Sequence, residues 1–545
     1  MTRARSGLLA LTGLAVALCL PSAGAGARYA VGAGAVEDLP SLKRQLGGPA
    51  QSLAPLPALV VERSSPPRLH DLPAARYVER LGSRRLAFVP EDPLATRLQW
   101  HLPVNRAFDY WQTPPLLPPV RVAVIDSGVD RTHPEFEGKV VGGKSFVGGS
   151  PYVDRQGHGT FVAGLIAAAI GNAEGGAGMA PSAELLVAKV VQPDLSIDVL
   201  AEAQAIQWAA NQRAKVINIS LGGLRDPRDP SRDTFSQLEA AAIAYAHGKG
   251  AVVVAAVGNA DAAPRQPWPY ASYPAALPHV LGVSALARDG SAPPFSNRDK
   301  IYNDIAAPGQ AIVSTLPKVL TAPFKDCPEQ GYSNCGPDEY RAAVGTSFAA
   351  PQVSAAAAVL LAERPTLGPE QVTALLTRTA VDVNAATGCQ QCPLGRDELT
   401  GWGRLDVTAA LRALDGEIPP PDRFEPNDDA GSEAARLCCL TKRLVATLDF
   451  WDDQNDVYAI RLRRRQPVYV SVRGPAGTDT NLILWKPGTK RVDDFRSLDR
   501  IGAQSAHPGP RENLRYRATK TGWHFVQVKL GSRGEGLYKL VIVKA

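Results

Sequence analysis

Residues 121–130 read RVAVIDSGVD. Val122 to Ile125 are apolar without alternation, the pattern of a strand covered on both faces. The run ends in Asp126, and Ser127-Gly128 then turn the chain away. Similar apolar runs bounded by turn residues recur as ELLVAKVV (184–191), AKVINIS (214–220), GAVVVAAVG (250–258) and HVLGVSA (279–285). Ala-rich helical segments lie among them: FVAGLIAAAI (161–170), VLAEAQAIQWAANQ (199–212) and FSQLEAAAIAYAHGKG (235–250). Buried strands alternating with helices predict an α/β architecture on a mostly parallel sheet.

Open parallel sheets place ligands outside the carboxyl ends of their strands. Two further segments put reactive side chains at helix starts. GHGTFVAG (157–164) sets His158 between glycines that admit close approach, and GTSFAAPQVSAAAAVLL (345–361) sets Ser347 at a helix opening, with Pro351 in the first turn. A serine hydroxyl needs a base, and the base needs an orienting group. Ser347 as nucleophile, His158 as base and Asp126 as the carboxylate behind the imidazole supply those roles. Asn259, at the end of GAVVVAAVGN, is the candidate donor to a developing oxyanion, assisted by the Ser347 backbone N–H. Taken singly, these residues read as a strand-end carboxylate, a helix-start histidine and an N-cap serine. Their joint order and flanking glycines argue against that reading. The G-T-S-F-A context of Ser347 also differs from the G-x-S-x-G of α/β-hydrolases.

The three segments, with the GN of AAVGN, resemble the active-site signatures of the subtilisin-like (subtilase) serine peptidases, in the chain order Asp, His, Ser. The similarity runs from about Trp100 to Asp406 and includes NISLGG (218–223) and GWGRLD (401–406). It implies a three-layer subtilisin-like α/β fold and endopeptidase activity through an acyl-enzyme intermediate. Ser220, Leu221 and Gly222 would then border the specificity pocket and pair with an extended substrate. Two departures stand out. Phe348 follows the nucleophile where many secreted members carry Met, and the 88 positions from Asn259 to Ser347 exceed the spacing of compact bacterial enzymes. Cys327 and Cys335 fall in that longer segment, read as a disulfide-tied loop. The resemblance implies no required cofactor but admits a structural calcium ion, with Asn172 and Glu135 in matching places.

At 545 residues the chain has room for about three to four domains. Residues 1–27 carry Arg3 and Arg5, an apolar stretch from Leu8 to Leu20 and A-x-A endings, and are expected to be a signal peptide. Residues 28–92 show little sustained periodicity and are expected to be an N-terminal extension or propeptide. The peptidase domain is expected over 93–416, with a mature amino terminus between Arg84 and Gln99. A proline-rich linker occupies 417–422. Short alternating runs then follow, DVYAIRL (456–462), PVYVSVRG (467–474), TNLILWKP (480–487), HFVQVKL (524–530) and YKLVIVK (538–544). They predict a small antiparallel β-sandwich over 423–545. With FEPNDDA (424–430) and TGWHFVQV (521–528), this tail resembles the bacterial pre-peptidase C-terminal domain. Some members of that family bind calcium, which makes Asp428, Asp453 and Asp456 candidate ligands.

The net charge of +6 is too mild over this length to indicate a nucleic-acid binder. Its placement is uneven, with 22 Lys and Arg against 15 Asp and Glu from Pro420 onward. The run Arg461-Leu462-Arg463-Arg464-Arg465 reads as a solvated strand face or a grip on polyanionic surface material. Beyond residue 27 six cysteines remain, Cys327, Cys335, Cys389, Cys392, Cys438 and Cys439, an even number that favours disulfides in an exported chain. No later run approaches transmembrane length. The expectation is a secreted monomer, extracellular or periplasmic, acting on protein or peptide substrates.

Overall fold

The computed structural model describes residues 27–81, 88–261, 263–321, 340–416, 422–425, 427–431, 433–450, 453–492, 495–532 and 534–545. The signal-peptide expectation for residues before 27, and the Cys327 and Cys335 loop, lie outside the described residues. The chain forms two compact units, Met1–Arg85 and Leu86–Ala545.

In the first unit a four-stranded antiparallel sheet has Ala27–Ala33 and Ala58–Arg63 at its centre, flanked by Gln51–Ser52 and Ala75–Arg80. The helix Leu39–Leu46 contributes Leu39, Leu42 and Leu46 to a small core with Tyr29, Val31, Leu59 and Val61. Lys43 and Arg44 sit in its last turn, where cations suit the helix dipole, and Gly47 (φ 55°) ends it. The segment without a sustained period is thus an ordered α+β unit.

The second unit is built on a seven-stranded sheet whose registered pairings are all parallel. Its strand order is Ile305–Pro308, Val280–Leu286, Val252–Ala256, Val216–Ile219, Val120–Asp126, Ala183–Lys189, Val140–Ser145. Both faces are covered, which explains the lack of alternation. Val122, Val124, Val187 and Val254 face a core shared with the helix Ala350–Glu363. Ala123, Ile125, Ala188 and Val253 face another core, shared with the helices Val199–Asn211 and Gln237–Gly248. Asp198 and Ser236 cap those two helices by accepting from Leu200 and Glu239 N–H.

Beyond residue 422 a five-stranded sheet and a four-stranded sheet share one apolar core that includes Leu444, Tyr458, Val470, Leu482 and Tyr538. Their pairings are antiparallel except for the short strand Ala435–Leu437, which runs parallel to Tyr458–Ile460. Arg491 ties this region to the large sheet's side of the unit, donating to the Ala276 carbonyl and the Tyr302 hydroxyl. Arg378 adds ion pairs to Asp449 and Glu535. Cys389 and Cys392 form a disulfide, whereas Cys438 and Cys439 are exposed free thiols. No helix among the described residues is long and apolar enough to cross a membrane.

Candidate active site

Three adjacent parallel strands end side by side at the carboxyl edge of the sheet. Val120–Asp126 delivers Asp126, Val216–Ile219 is followed directly by Ser220, and Asn259 lies three residues beyond Val252–Ala256. Asp126 is buried and accepts the Ser127 N–H at 2.7 Å. His158, first residue of the helix His158–Ala167, places Nδ1 2.8 Å from Asp126 Oδ1 and 3.0 Å from Oδ2. Glycine is needed beside it, because a Cβ at Gly159 would stand 2.1 Å from the Gly128 carbonyl oxygen. With Nδ1 held by the carboxylate, Nε2 is the nitrogen left to exchange a proton.

A second carboxylate braces this arrangement. Asp154 is buried; its Oδ1 accepts from Ser127 Oγ (2.9 Å) and Gly157 N–H (2.8 Å), and its Oδ2 from Thr160 N–H (2.9 Å) and Thr160 Oγ1 (2.7 Å). Ser127 Oγ in turn accepts the Gly159 N–H at 3.0 Å. The strand end and the helix start are therefore laced together through Asp154. Burial works to lower the His158 pKa, but the Asp126 charge and hydrogen bond, with a further contribution from Asp154, leave it raised above 6.5. The Asp154 pKa is itself raised, chiefly by burial and also by the Asp126 charge.

Ser347 occupies a 3₁₀ turn, Thr346–Phe348, that leads into the helix Ala350–Glu363, with Gly345 at φ 151° before it. Its hydroxyl donates to the Ser220 carbonyl at 2.8 Å. No hydrogen bond joins Ser347 to His158 among the described residues; the imidazole instead meets the neighbouring Phe348 ring at 5.5 Å between centroids. The serine hydroxyl turns about a single staggered torsion, and such contacts are often loose without substrate. Asn259 Oδ1 accepts both the N–H and the hydroxyl of Thr346, each at 2.8 Å. That anchors the amide and leaves Nδ2 as its donor end. Ser220, Leu221, Gly222, Asn259 and Ser347 line a single cavity of about 260 Å³, joined by Ser272 and Asn297. A Cβ at Gly222 would fall 1.9 Å from the Tyr273 carbonyl oxygen, so the backbone there packs as only glycine allows.

Sequence reasoning missed Asp154, Thr346 and Asn297. The first had a readable signal, a carboxylate three residues before a helix-opening glycine, the spacing of a side-chain cap.

Glu135 and Asn172 do meet, but not as a cation cage. Asn172 donates Nδ2 to Glu135 Oε2 at 3.1 Å, while Glu135 Oε1 accepts from Gly176 N–H and Tyr340 Oη, both at 3.0 Å. The amide presents its nitrogen, and N–H and O–H donors fill the positions where a metal would sit. Burial pushes the Glu135 pKa up to about 7. Acidic groups able to hold a metal lie elsewhere, in two overlapping sets, Asp422, Glu425, Asp456 and Glu425, Asp428, Asp453, with the ligand oxygens in each set within 4.8 Å of one another. Asn427, fully buried, donates to Asp456 and keeps an unpartnered Oδ1, a carbonyl suited to the same ion.

The open parallel sheet thus carries an imidazole–carboxylate pair at its strand ends and a serine-lined cavity near it, an arrangement consistent with hydrolase chemistry. The sequence profile of the Subtilase family matches residues 119–403. Subtilisin DY from Bacillus licheniformis is 35% identical over 294 residues, spanning 54% of this chain and 91% of the relative. Thermitase from Thermoactinomyces vulgaris is 36% identical over 245 residues, spanning 45% and 75%. Among solved structures, a protease from Pseudoalteromonas arctica aligns with a TM-score of 0.48 at 25% identity, over 60% of this chain and 99% of that one. The chain belongs to the subtilase family and is a serine-type endopeptidase.

Proposed function

We propose that this endopeptidase is exported, made as a precursor and run by Asp126, His158 and Ser347. In this reading Ser347 Oγ attacks the scissile carbonyl carbon while His158 Nε2 takes the hydroxyl proton. Asp126 holds the imidazole in the tautomer that allows this and stabilises the imidazolium. Asn259 Nδ2 and the Ser347 N–H receive the oxyanion. The proton then passes to the leaving amine, and water releases the acyl group by the same route in reverse. Ser220, Leu221 and Gly222 offer backbone to an extended peptide substrate, which the enzyme meets as a monomer.

The observation that carries the proposal is that Ser347 shares one cavity with Asn259 and Ser220 from two neighbouring strand ends, while Asp126, at the end of the next strand, is bonded to His158, whose ring meets Phe348 beside the serine. The test is casein hydrolysis together with labelling by a fluorophosphonate probe. Wild type should do both and Ser347→Ala neither, with unchanged circular dichroism; the nucleophile is worth about 10⁶-fold in turnover in this mechanism. Purified wild type inert to both reagents would defeat the reading.

We assign the organisation as residues 1–27 signal, 28–92 N-terminal extension or propeptide, 93–416 peptidase, 417–422 linker and 423–545 a β-sandwich of the pre-peptidase C-terminal kind. Its shared apolar core between two sheets supports the last assignment. A structural calcium ion belongs at the Asp422, Glu425, Asp428, Asp453, Asp456 cluster rather than at Glu135, on the donor chemistry described above.

A further inference from the structure

The basic excess of the C-terminal region is not spread evenly over its surface. In the four-stranded sheet the buried residues alternate with a solvent-facing set on Thr441–Asp449, Glu535–Lys544, Pro467–Arg473 and Arg511–Arg517. That set carries Arg443, Lys539, Arg473, Arg511, Arg515 and Arg517. The register fixes how they stand: Arg473 pairs directly with Lys539 on one side and with Arg511 on the other. Three cations thus form one row across neighbouring strands about 4.8 Å apart.

Like charges directly opposite one another weaken a sheet. The acids on this face, Asp449 and Glu535, stand at one end and are both taken by Arg378. The row is therefore a local cost of folding that a carboxylate- or sulfate-bearing partner would remove.

We propose that this face binds a linear acidic polysaccharide. A sheet face with cations at strand spacing matches a chain carrying one anionic group on successive sugar rings. Tyr469, partly exposed beside Arg515, offers a ring for a sugar face to stack on. Arg443 and Lys539 continue the surface into a shallow groove of about 680 Å³, with Val445, Leu537 and the carboxylate of Asp422 also in its wall. Single-stranded nucleic acid is held by several stacking aromatics, and Tyr469 is the one this face presents. A lipid surface calls for apolar residues projecting among the cations; Val445 and Leu537 do so beside Lys539, whereas the residues interspersed with Arg473, Arg511 and Arg515 on the same face are Ser471, Tyr469 and Asn513.

The experiment uses the full chain with Ser347→Ala to prevent self-digestion and a fluorescent heparin oligosaccharide as probe, read by anisotropy at physiological salt. Arg473→Glu with Arg511→Glu should weaken binding by at least about tenfold and flatten its salt dependence. Arg436→Glu with Arg461→Glu, an equal charge change on the other sheet, should alter it by less than about twofold. Arg473→Gln with Arg511→Gln should lose binding yet raise the melting temperature, since it removes the opposed charges. Equal loss in both charge-reversal pairs, or loss in neither, overturns the proposal. So does duplex DNA or an anionic phosphatidylserine vesicle that binds as tightly as heparin and depends on the same row.

Discussion

Thr160 gives both its backbone N–H and its hydroxyl to Asp154 Oδ2, at 2.9 and 2.7 Å, so the first turn of the His158 helix is moored to a buried carboxylate that lies outside the helix. The same carboxylate holds Ser127 and Gly157 through its other oxygen. Asp154→Asn keeps the volume but turns one accepting atom into a donor facing donors. Leaving such a buried group unsatisfied costs about 1–3 kcal/mol. The variant should melt several degrees lower, and kcat should fall more than KM rises, because the helix start that aims His158 loosens. Thermal melting and casein kinetics on one preparation check this; an unchanged melting temperature would remove Asp154 from the supporting role.

The acid limb of the pH–rate profile should lie above the ordinary histidine value of about 6.5. His158 works as a base only when neutral, and the Asp126 and Asp154 carboxylates hold its proton on, raising its pKa. Activity therefore falls as pH drops through that raised value. In Asp154→Asn one of the raising charges is gone, so the limb should move to lower pH. A profile of kcat/KM against pH for the two proteins decides the matter, and a shift in the opposite direction would contradict the electrostatic account.

Asn259 has two jobs that substitution can separate. Its Oδ1 holds Thr346, and its Nδ2 is the proposed oxyanion donor. Asn259→Asp retains an acceptor for Thr346 and replaces the donor with a charge that repels the developing oxyanion. The expected result is a fall in kcat of at least about 10²-fold, the usual worth of one such donor, with little change in KM or melting temperature. A stable variant with near-normal kcat would place the oxyanion elsewhere.

The parts of this molecule legible in its sequence were those with a strong local apolar pattern, whether a period or an unbroken run. Val122 to Ile125 could be assigned to a buried strand because every neighbour on both faces is apolar. The two edge strands escaped notice for local reasons: VVGGKS (140–145) is broken by glycines, and IAAP (305–308) is short and ends in proline. The N-terminal sheet was hidden because its central strand packs Ala30, Gly32 and Ala33 among larger residues, which blurs alternation. Candidate site residues were visible from their flanking glycines. The Glu135–Tyr340 hydrogen bond was not, since it joins positions 205 residues apart.

Processing should leave an amino terminus between Arg84 and Gln99, and contacts within the second unit narrow the window to the part before Asp92. Asp92 accepts the Gly171 and Asn172 N–H groups, Leu94 N–H bonds the Gly175 carbonyl, and Gln99 bonds Ala177 and Val313. Cutting beyond Asp92 would strip the Asp92 bonds, and beyond Leu94 that residue's bond as well, from a partly buried region. N-terminal sequencing of active protein should return a residue from 84 to 92, and Ser347→Ala should accumulate the uncut precursor if the cut is self-made. A terminus at Arg28 in active enzyme would refute the precursor reading.

The C-terminal acidic cluster should make stability depend on pH and calcium together. Burial, reinforced by the neighbouring carboxylates, pushes Glu425 up to about 7 and Asp428 and Asp456 well above their ordinary range. A carboxyl whose folded pKa is raised favours the fold while protonated, below its unfolded value of about 4, and that contribution is lost as pH rises through the folded value. With divalent ions removed by chelation, the C-terminal transition in a melting scan should therefore fall between about pH 5 and about pH 8. Calcium should restore it at the higher pH, where the ligands are ionised, and change little at the lower, where protons compete. Asp456→Asn removes one of the mutually repelling charges and one ligand, so its melting point should vary less with pH and no longer rise with calcium. A wild-type transition indifferent to both chelator and calcium at about pH 8 would leave the cluster as a set of shared protons rather than an ion site.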